Sequence, residues 1–137
     1  MSISVTDIVQ IISTIKSLVE ACHSNNAICK ELARLSCRIG HFLEANMQSI
    51  EYKLNDQSVN NAVVNVKDVL ENVIEEINKY EAKGMIKHLL KAHKYNERFK
   101  QLCLDLHNSQ QSLQTTLLRY NRHYHHHHYY YCYYNHH

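Results

Sequence analysis

Apolar residues recur along this chain at spacings of three and four, the period of an α-helix that is buried on one side. The clearest case is the stretch 26–43, NAICKELARLSCRIGHFL, in which the aliphatic residues share one helical face and the charged residues lie mostly on the other. The aliphatic positions are Ile28, Leu32, Leu35, Ile39 and Leu43. A single amphipathic helix is unstable alone in water, so other helices must cover this face.

The same spacing recurs in the rest of the chain and predicts five helical segments. They cover about 4–22, 26–54, 58–81, 85–91 and 93–119. The third is the most regular, because its apolar residues keep a heptad period that overrides the strand preference of its valines. Ser58 is expected to cap its start. Short turns between helices favour antiparallel neighbours, so we predict an all-α fold: an up-down four-helix bundle over 1–122, with a short extra helix before the last long helix.

Several side chains are expected to point into the core of this bundle. They are Ile39, Val63, Leu70 and Phe99. Gly40 lies inside the second helix, where glycine costs roughly 1 kcal/mol relative to alanine. We therefore expect a neighbouring helix to approach closely at that position.

The end of the chain, 123–137, has a different composition. Its sequence, HYHHHHYYYCYYNHH, contains no Asp, Glu, Lys or Arg and shows no helical period. We interpret it as a low-complexity tail and predict that it is disordered. Adjacent histidines would retain Ni²⁺ or Zn²⁺ in a test tube, but we predict no biological metal site, because elsewhere Cys37 and His41 offer two ligands where zinc needs three or four.

The overall charge is nearly balanced, with 15 basic and 13 acidic residues, and does not predict nucleic-acid binding. The distribution is uneven, since residues 1–78 carry six basic and ten acidic residues whereas 79–122 carry nine basic and three acidic. Such segregation indicates an anionic partner, or an acidic surface elsewhere in the same assembly.

Cysteine usage and hydropathy indicate a cytoplasmic protein. The five cysteines are odd in number and fit no disulfide framework, so we expect reduced thiols. The start of the chain shows no signal-peptide pattern. The apolar runs are only a few residues long, whereas a membrane span needs about 20. Attachment to a membrane is therefore expected to be peripheral at most.

The sequence contains no recognisable catalytic constellation. It has only two glycines, Gly40 and Gly84, and therefore no glycine-rich phosphate loop. It also has no nucleophile elbow, paired-carboxylate motif or Cys/His arrangement with a third group at usable spacing. We predict a non-enzymatic protein that needs no cofactor.

A row of basic residues is the strongest candidate site that the residues themselves provide. Its members follow one another at four-residue steps and continue more loosely towards the C-terminus: Lys79, Lys83, Lys87, Lys91, Lys94 and Arg98. On one continuous helix the first four would form a ridge that an anion could neutralise. Gly84 is expected to end the third helix and split this ridge.

The chain resembles the N-terminal four-helix bundle of the mixed lineage kinase domain-like pseudokinase family, which is grouped with the N-terminal domain of Cbl-type adaptors. Three motifs carry this resemblance. One is Cys29-Lys30 followed a turn later by Arg34, at the opening of the second helix. The others are Ile77-Asn78-Lys79-Tyr80, before a short helical segment, and FKQLCLDL at 99–106, which resembles the start of the long last helix.

The resemblance implies a signalling adaptor or effector whose contacts are with a protein kinase or a receptor-proximal protein. It also implies phosphoinositide binding through surface cations, for which Lys16, Lys30 and Arg34 are the counterparts here, and the possibility of homo-oligomers. Two alternatives remain open: a membrane-permeabilising cell-death effector, and a decayed fragment of a kinase-like protein. A regulator of the bundle is expected to be another chain, because the sequence contains no kinase domain.

Overall fold

A computed structural model describes the backbone of residues 3–21, 27–81 and 85–135. Within these ranges it describes the side chains except those of 19, 21, 28, 29, 81, 85–93 and 121–135. Every regular element in the described residues is an α-helix: α1 Val5–Ala21, α2 Ala27–Ala45, α3 Met47–Lys53, α4 Gln57–Glu81 and α5 Met85–Asn135. The prediction of an all-α fold is confirmed.

The four long helices form a bundle in which each packs against two others. Going round the bundle, the order is α1, α2, α5, α4, because α1 contacts α2 and α4, and α5 contacts the same two helices. Helices α1 and α2 are neighbours in sequence and run antiparallel, as do α4 and α5. Helices α2 and α5 run parallel, because Ala27 and Glu31 line one groove with residues 100–104 of α5, whereas Arg38 lines another with residues 107–114. It follows that α1 and α4 also run parallel.

The predicted core residues are buried. Val63, Leu70 and Phe99 have no exposed surface, and Ile39 is only 1% exposed. Two tyrosines complete an aromatic cluster between α4 and α5, where the ring of Tyr80 packs edge-on against Phe99 at a centroid distance of 5.5 Å and against Tyr95 at 5.2 Å. This cluster joins the two helices that carry the cationic groove described below.

Gly40 lies where the second helix meets the first. A methyl group added at Gly40 would lie 3.2 Å from Cγ2 of Ile12 on α1. The close approach expected from the glycine is therefore observed, and the missing side chain allows it.

The predicted second helix, 26–54, is divided at Asn46 into α2 and α3. The side-chain amide of Asn46 donates a hydrogen bond to the carbonyl of Phe42 at 2.8 Å, and its backbone N–H is shared between the carbonyls of Phe42 and Leu43 at 3.2 Å each. A side chain that competes with the backbone for a carbonyl group interrupts the regular helical ladder.

The segment predicted as a short extra helix, 85–91, is helical, but it is continuous with the predicted last helix, 93–119. The residues that join them, Leu90-Lys91-Ala92-His93, include neither glycine nor proline, so nothing there interrupts a helix. The backbone of 123–135, which makes up most of the predicted tail, is described as the end of α5, whereas its side chains lie outside the described residues. The disorder of the tail stays a prediction.

The starts of α1 and α4 are capped by acidic residues and serine. At α1, the Ser4 hydroxyl accepts a hydrogen bond from the Asp7 N–H at 3.2 Å, and the Asp7 carboxylate accepts one from the Ser4 N–H at 3.3 Å. At α4, the cap is Asp56 rather than the predicted Ser58, because the Asp56 carboxylate accepts from the N–H groups of Ser58 and Val59 at 2.9 and 3.2 Å. These side chains satisfy N–H groups that have no partner within the helix.

Candidate anion-binding surface

The fold separates the charges of the chain onto two sides of the bundle. Helices α1 and α4 together carry seven acidic and three basic residues. Helices α2 and α5 together carry ten basic and four acidic residues. Because α1 lies beside α4 and α2 beside α5, the bundle has an acidic side and, opposite to it, a basic side. We call the exposed, described cations of α2 and of the first half of α5 the basic face: Lys30, Arg34, Arg38, Lys94, Arg98 and Lys100.

On α2, three cations of the basic face follow one another at four-residue steps along an uninterrupted helix. Arg34 binds Glu31, with Nε 2.8 Å from one carboxylate oxygen and a second contact to the other. The hydrogen bond from Arg34 lowers the pKa of the Glu31 carboxyl. Within the described residues, Lys30 and Arg38 have no ion pair. Lys30 and Arg38 are therefore available to an external anion.

Of these three cations of α2, Arg38 is the one that the sequence interpretation did not identify as a candidate anion-binding residue. It lies one turn after Arg34, and this four-residue spacing was the signal that could have identified it. In the structure Arg38 also lines a small polar groove on the basic side, together with side chains of α5. These are His107, Gln110, Gln111 and Gln114.

On the other edge of α5, a groove of about 750 Å³ lies between α5 and the end of α4. The groove presents three cations and two carboxylates, and its walls are Glu76, Lys79, Lys94, Tyr95, Glu97, Arg98 and Gln101. Lys79 lies 3.0 Å from Glu75, and Arg98 lies 3.2 Å from Glu76. Lys94, one turn before Arg98, has no ion pair among the described residues.

The structure divides the predicted lysine row between two helices. Lys79 belongs to α4, which ends at Glu81, whereas Lys87 and Lys91 belong to α5, which begins at Met85. A single ridge on one helix is therefore not formed, as expected from Gly84. Lys83 and the side chains of Lys87 and Lys91 lie outside the described residues.

Lys16 is exposed on α1, apart from the basic face. Of the predicted anion-binding residues, the structure groups Lys30 with Arg34 on α2, and Lys79 with Lys94 and Arg98 around the groove. Whether these residues bind an anion stays a prediction.

A third groove lies between the start of α2 and the middle of α5, and its walls are mostly apolar. Ala27, Glu31, Lys100, Cys103 and Leu104 line it. Burial raises the pKa of the Cys103 thiol, and the nearby Glu31 carboxylate raises it further. The thiol is therefore held in its neutral, unreactive form at neutral pH.

Neither a metal site nor a membrane span is found in the described part of the chain. No group of three or more His, Cys, Asp or Glu side chains that could hold a metal ion occurs among the described residues. No helix, as far as described, is long and apolar enough to cross a membrane.

Residues 5–128 match the family described as the mixed lineage kinase domain-like N-terminal domain. The chain belongs to this family. The match includes α1 to α4 and most of α5. The resemblance to this family that the three sequence motifs indicated is therefore confirmed. Comparisons with curated proteins and with solved structures found no match.

Proposed function

We propose that the chain is a non-catalytic signalling adaptor or effector, and that the basic face is the surface through which it contacts an anionic partner. The partner is a protein kinase or receptor-proximal protein with an acidic surface, or a membrane that contains anionic phospholipid. The observation that carries this proposal is the gathering of cations on α2 and α5, opposite an acidic side formed by α1 and α4.

The unpaired cations of the basic face determine how strongly it attracts an anionic surface. Lys30, Arg38 and Lys94 are exposed and have no ion pair within the described residues, so no carboxylate there must be displaced before they bind. A basic residue near an anionic membrane contributes about 1 kcal/mol. Together these three therefore contribute about 3 kcal/mol, which is roughly a 150-fold change in affinity.

Vesicle binding tests this proposal. Vesicles of phosphatidylcholine with phosphatidylserine are compared with vesicles of phosphatidylcholine alone, using wild type and the triple variant Lys30→Gln, Arg38→Gln and Lys94→Gln. We expect wild type to bind the anionic vesicles and the triple variant to lose most of this binding. The matched control is Lys67→Gln on α4, which removes a cation from the acidic side and should bind like wild type. Equal losses in the triple variant and the control would contradict a role for the basic face.

Membership of the mixed lineage kinase domain-like family supports a second candidate, a membrane-permeabilising effector. Dye release from the same anionic vesicles separates the two. An adaptor binds the vesicles and leaves the dye inside, whereas a permeabilising effector releases dye in proportion to the oligomer that it forms. For either candidate, co-purification of a kinase or receptor with the native protein would identify the protein partner.

A further inference from the structure

Glu76 is a buried carboxylate in the wall of the α4–α5 groove. Its side chain is 11% exposed, and its Oε1 atom lies 3.2 Å from Nε of Arg98 and 3.7 Å from Nζ of Lys79. The ion pair with Arg98 joins α4 to α5. The other ion pairs found among the described residues lie within single helices, so Glu76–Arg98 is the one described pair that links two helices.

The two cations that contact Glu76 also face the solvent of the groove. The side chains of Lys79 and Arg98 are 55% and 54% exposed, and both line the groove together with Lys94. The groove thus offers three cations to a ligand, while the carboxylate lies behind two of them. A ligand with negative charge must share these two cations with Glu76.

We propose that a phosphate group bound in this groove competes with Glu76 for Arg98 and Lys79, so that anion binding releases the ion pair that joins α4 to α5. This inference rests on the proposed function as far as anion binding is concerned, and it adds the regulation of that binding. A phosphate carries more charge and more acceptor oxygens than a carboxylate, and it forms strong charge-assisted hydrogen bonds with a guanidinium group.

Release of the pair has a structural consequence because Glu76 is buried. A buried carboxylate that loses its partner is strongly unfavourable, so α4 and α5 must separate locally until water reaches it. The coupling is reciprocal, and the closed ion pair therefore weakens anion binding to the same extent that the anion weakens the ion pair. The groove is thereby a switch in which the occupied state has a looser α4–α5 contact.

Removal of the competing charge tests the proposal. Glu76→Gln keeps the size of the side chain and should raise the affinity for inorganic pyrophosphate by roughly three- to tenfold, as expected for the loss of a charged hydrogen bond whose donors are half exposed. The matched control is Glu71→Gln, which makes the same change of net charge on α4 but at a residue paired with Lys67 outside the groove. The control should change the affinity less than twofold. Equal increases in affinity in the two variants would show that only net charge matters and would overturn the proposal.

Amide hydrogen exchange gives the second measurement. With saturating pyrophosphate, the amides of 73–80 and 94–102 in wild type should exchange faster. In Glu76→Gln the release of Arg98 leaves no buried charge without a partner, so pyrophosphate should accelerate the exchange of these amides less than in wild type. Slower exchange of both segments in wild type on addition of pyrophosphate would overturn the proposal.

The source of the phosphate is distinguished by repeating the affinity measurements with vesicles that contain phosphatidic acid. If Glu76→Gln binds the vesicles more tightly than wild type does, but binds pyrophosphate no more tightly, the ligand of the groove is a lipid headgroup. If Glu76→Gln binds both probes more tightly than wild type does, the ligand is a free phosphate. If wild type binds both probes and Glu76→Gln binds them no better, only this inference fails. If neither protein binds either probe, anion binding by the proposed function fails with it.

Discussion

Replacement of Phe99 by alanine is the most direct test of how the bundle is held together. Phe99 has no exposed surface, and its ring lies 5.5 Å from that of Tyr80 and 6.4 Å from that of Tyr95. Truncation of a fully buried phenylalanine costs about 3–5 kcal/mol, because apolar contacts are lost and a cavity remains. The edge-to-face contact with Tyr80 adds to this loss, so we expect Phe99→Ala to lower the free energy of unfolding by about 4 kcal/mol.

Urea denaturation followed by far-ultraviolet circular dichroism measures this change. The midpoint should fall with little change in the denaturant dependence, as for a mutation that alters stability alone. Leu104→Ala is the matched control on the same helix: Leu104 is 57% exposed, and its truncation should cost less than about 0.5 kcal/mol. If Phe99→Ala cost no more than Leu104→Ala, the packing of α4 against α5 described here would be wrong.

Three further predictions test local features. Gly40→Val should lower the free energy of unfolding by about 2 kcal/mol, because its side chain would collide with Ile12, and a urea midpoint equal to that of wild type would contradict the close approach of α1 and α2. Asp56→Ala should cost about 1 kcal/mol through loss of the α4 cap, whereas Asp56→Ser should restore most of it in the same assay. Glu31→Gln should lower the pKa of the Cys103 thiol by removing a nearby negative charge, and thereby raise its thiolate fraction at pH 8. Iodoacetamide labelling quantified by peptide mass spectrometry should then be faster than in wild type, and an unchanged rate would refute the electrostatic contact.

The apolar spacing was sufficient to predict the helices and the core, because burial of one face is what makes these helices stable. Ile39, Val63, Leu70 and Phe99 could be placed inside on this basis alone. Asn46 could not be identified as an interruption, since it divides the second helix through a hydrogen bond to the Phe42 carbonyl, and the apolar pattern continues past it.

The arrangement of charges was less predictable than the core. A lysine row at four-residue spacing pointed to a ridge, but the row crosses the α4–α5 turn. The basic face depends instead on the packing of α2 beside α5, and spacing along a chain does not tell which helices become neighbours. For the same reason, the pairing of Glu76 with Arg98, 22 positions apart, could not be derived from the sequence.

The order of helices around the bundle also determines how the molecule meets a charged surface. Its electric polarity runs across the helix axes, from the side of α1 and α4 to the side of α2 and α5. Neighbouring helices are about 8–10 Å apart, about one screening length in physiological salt, so a negatively charged plane attracts the near row and only weakly repels the far one. The protein should therefore lie flat on such a plane, with both ends of the bundle left accessible to other molecules.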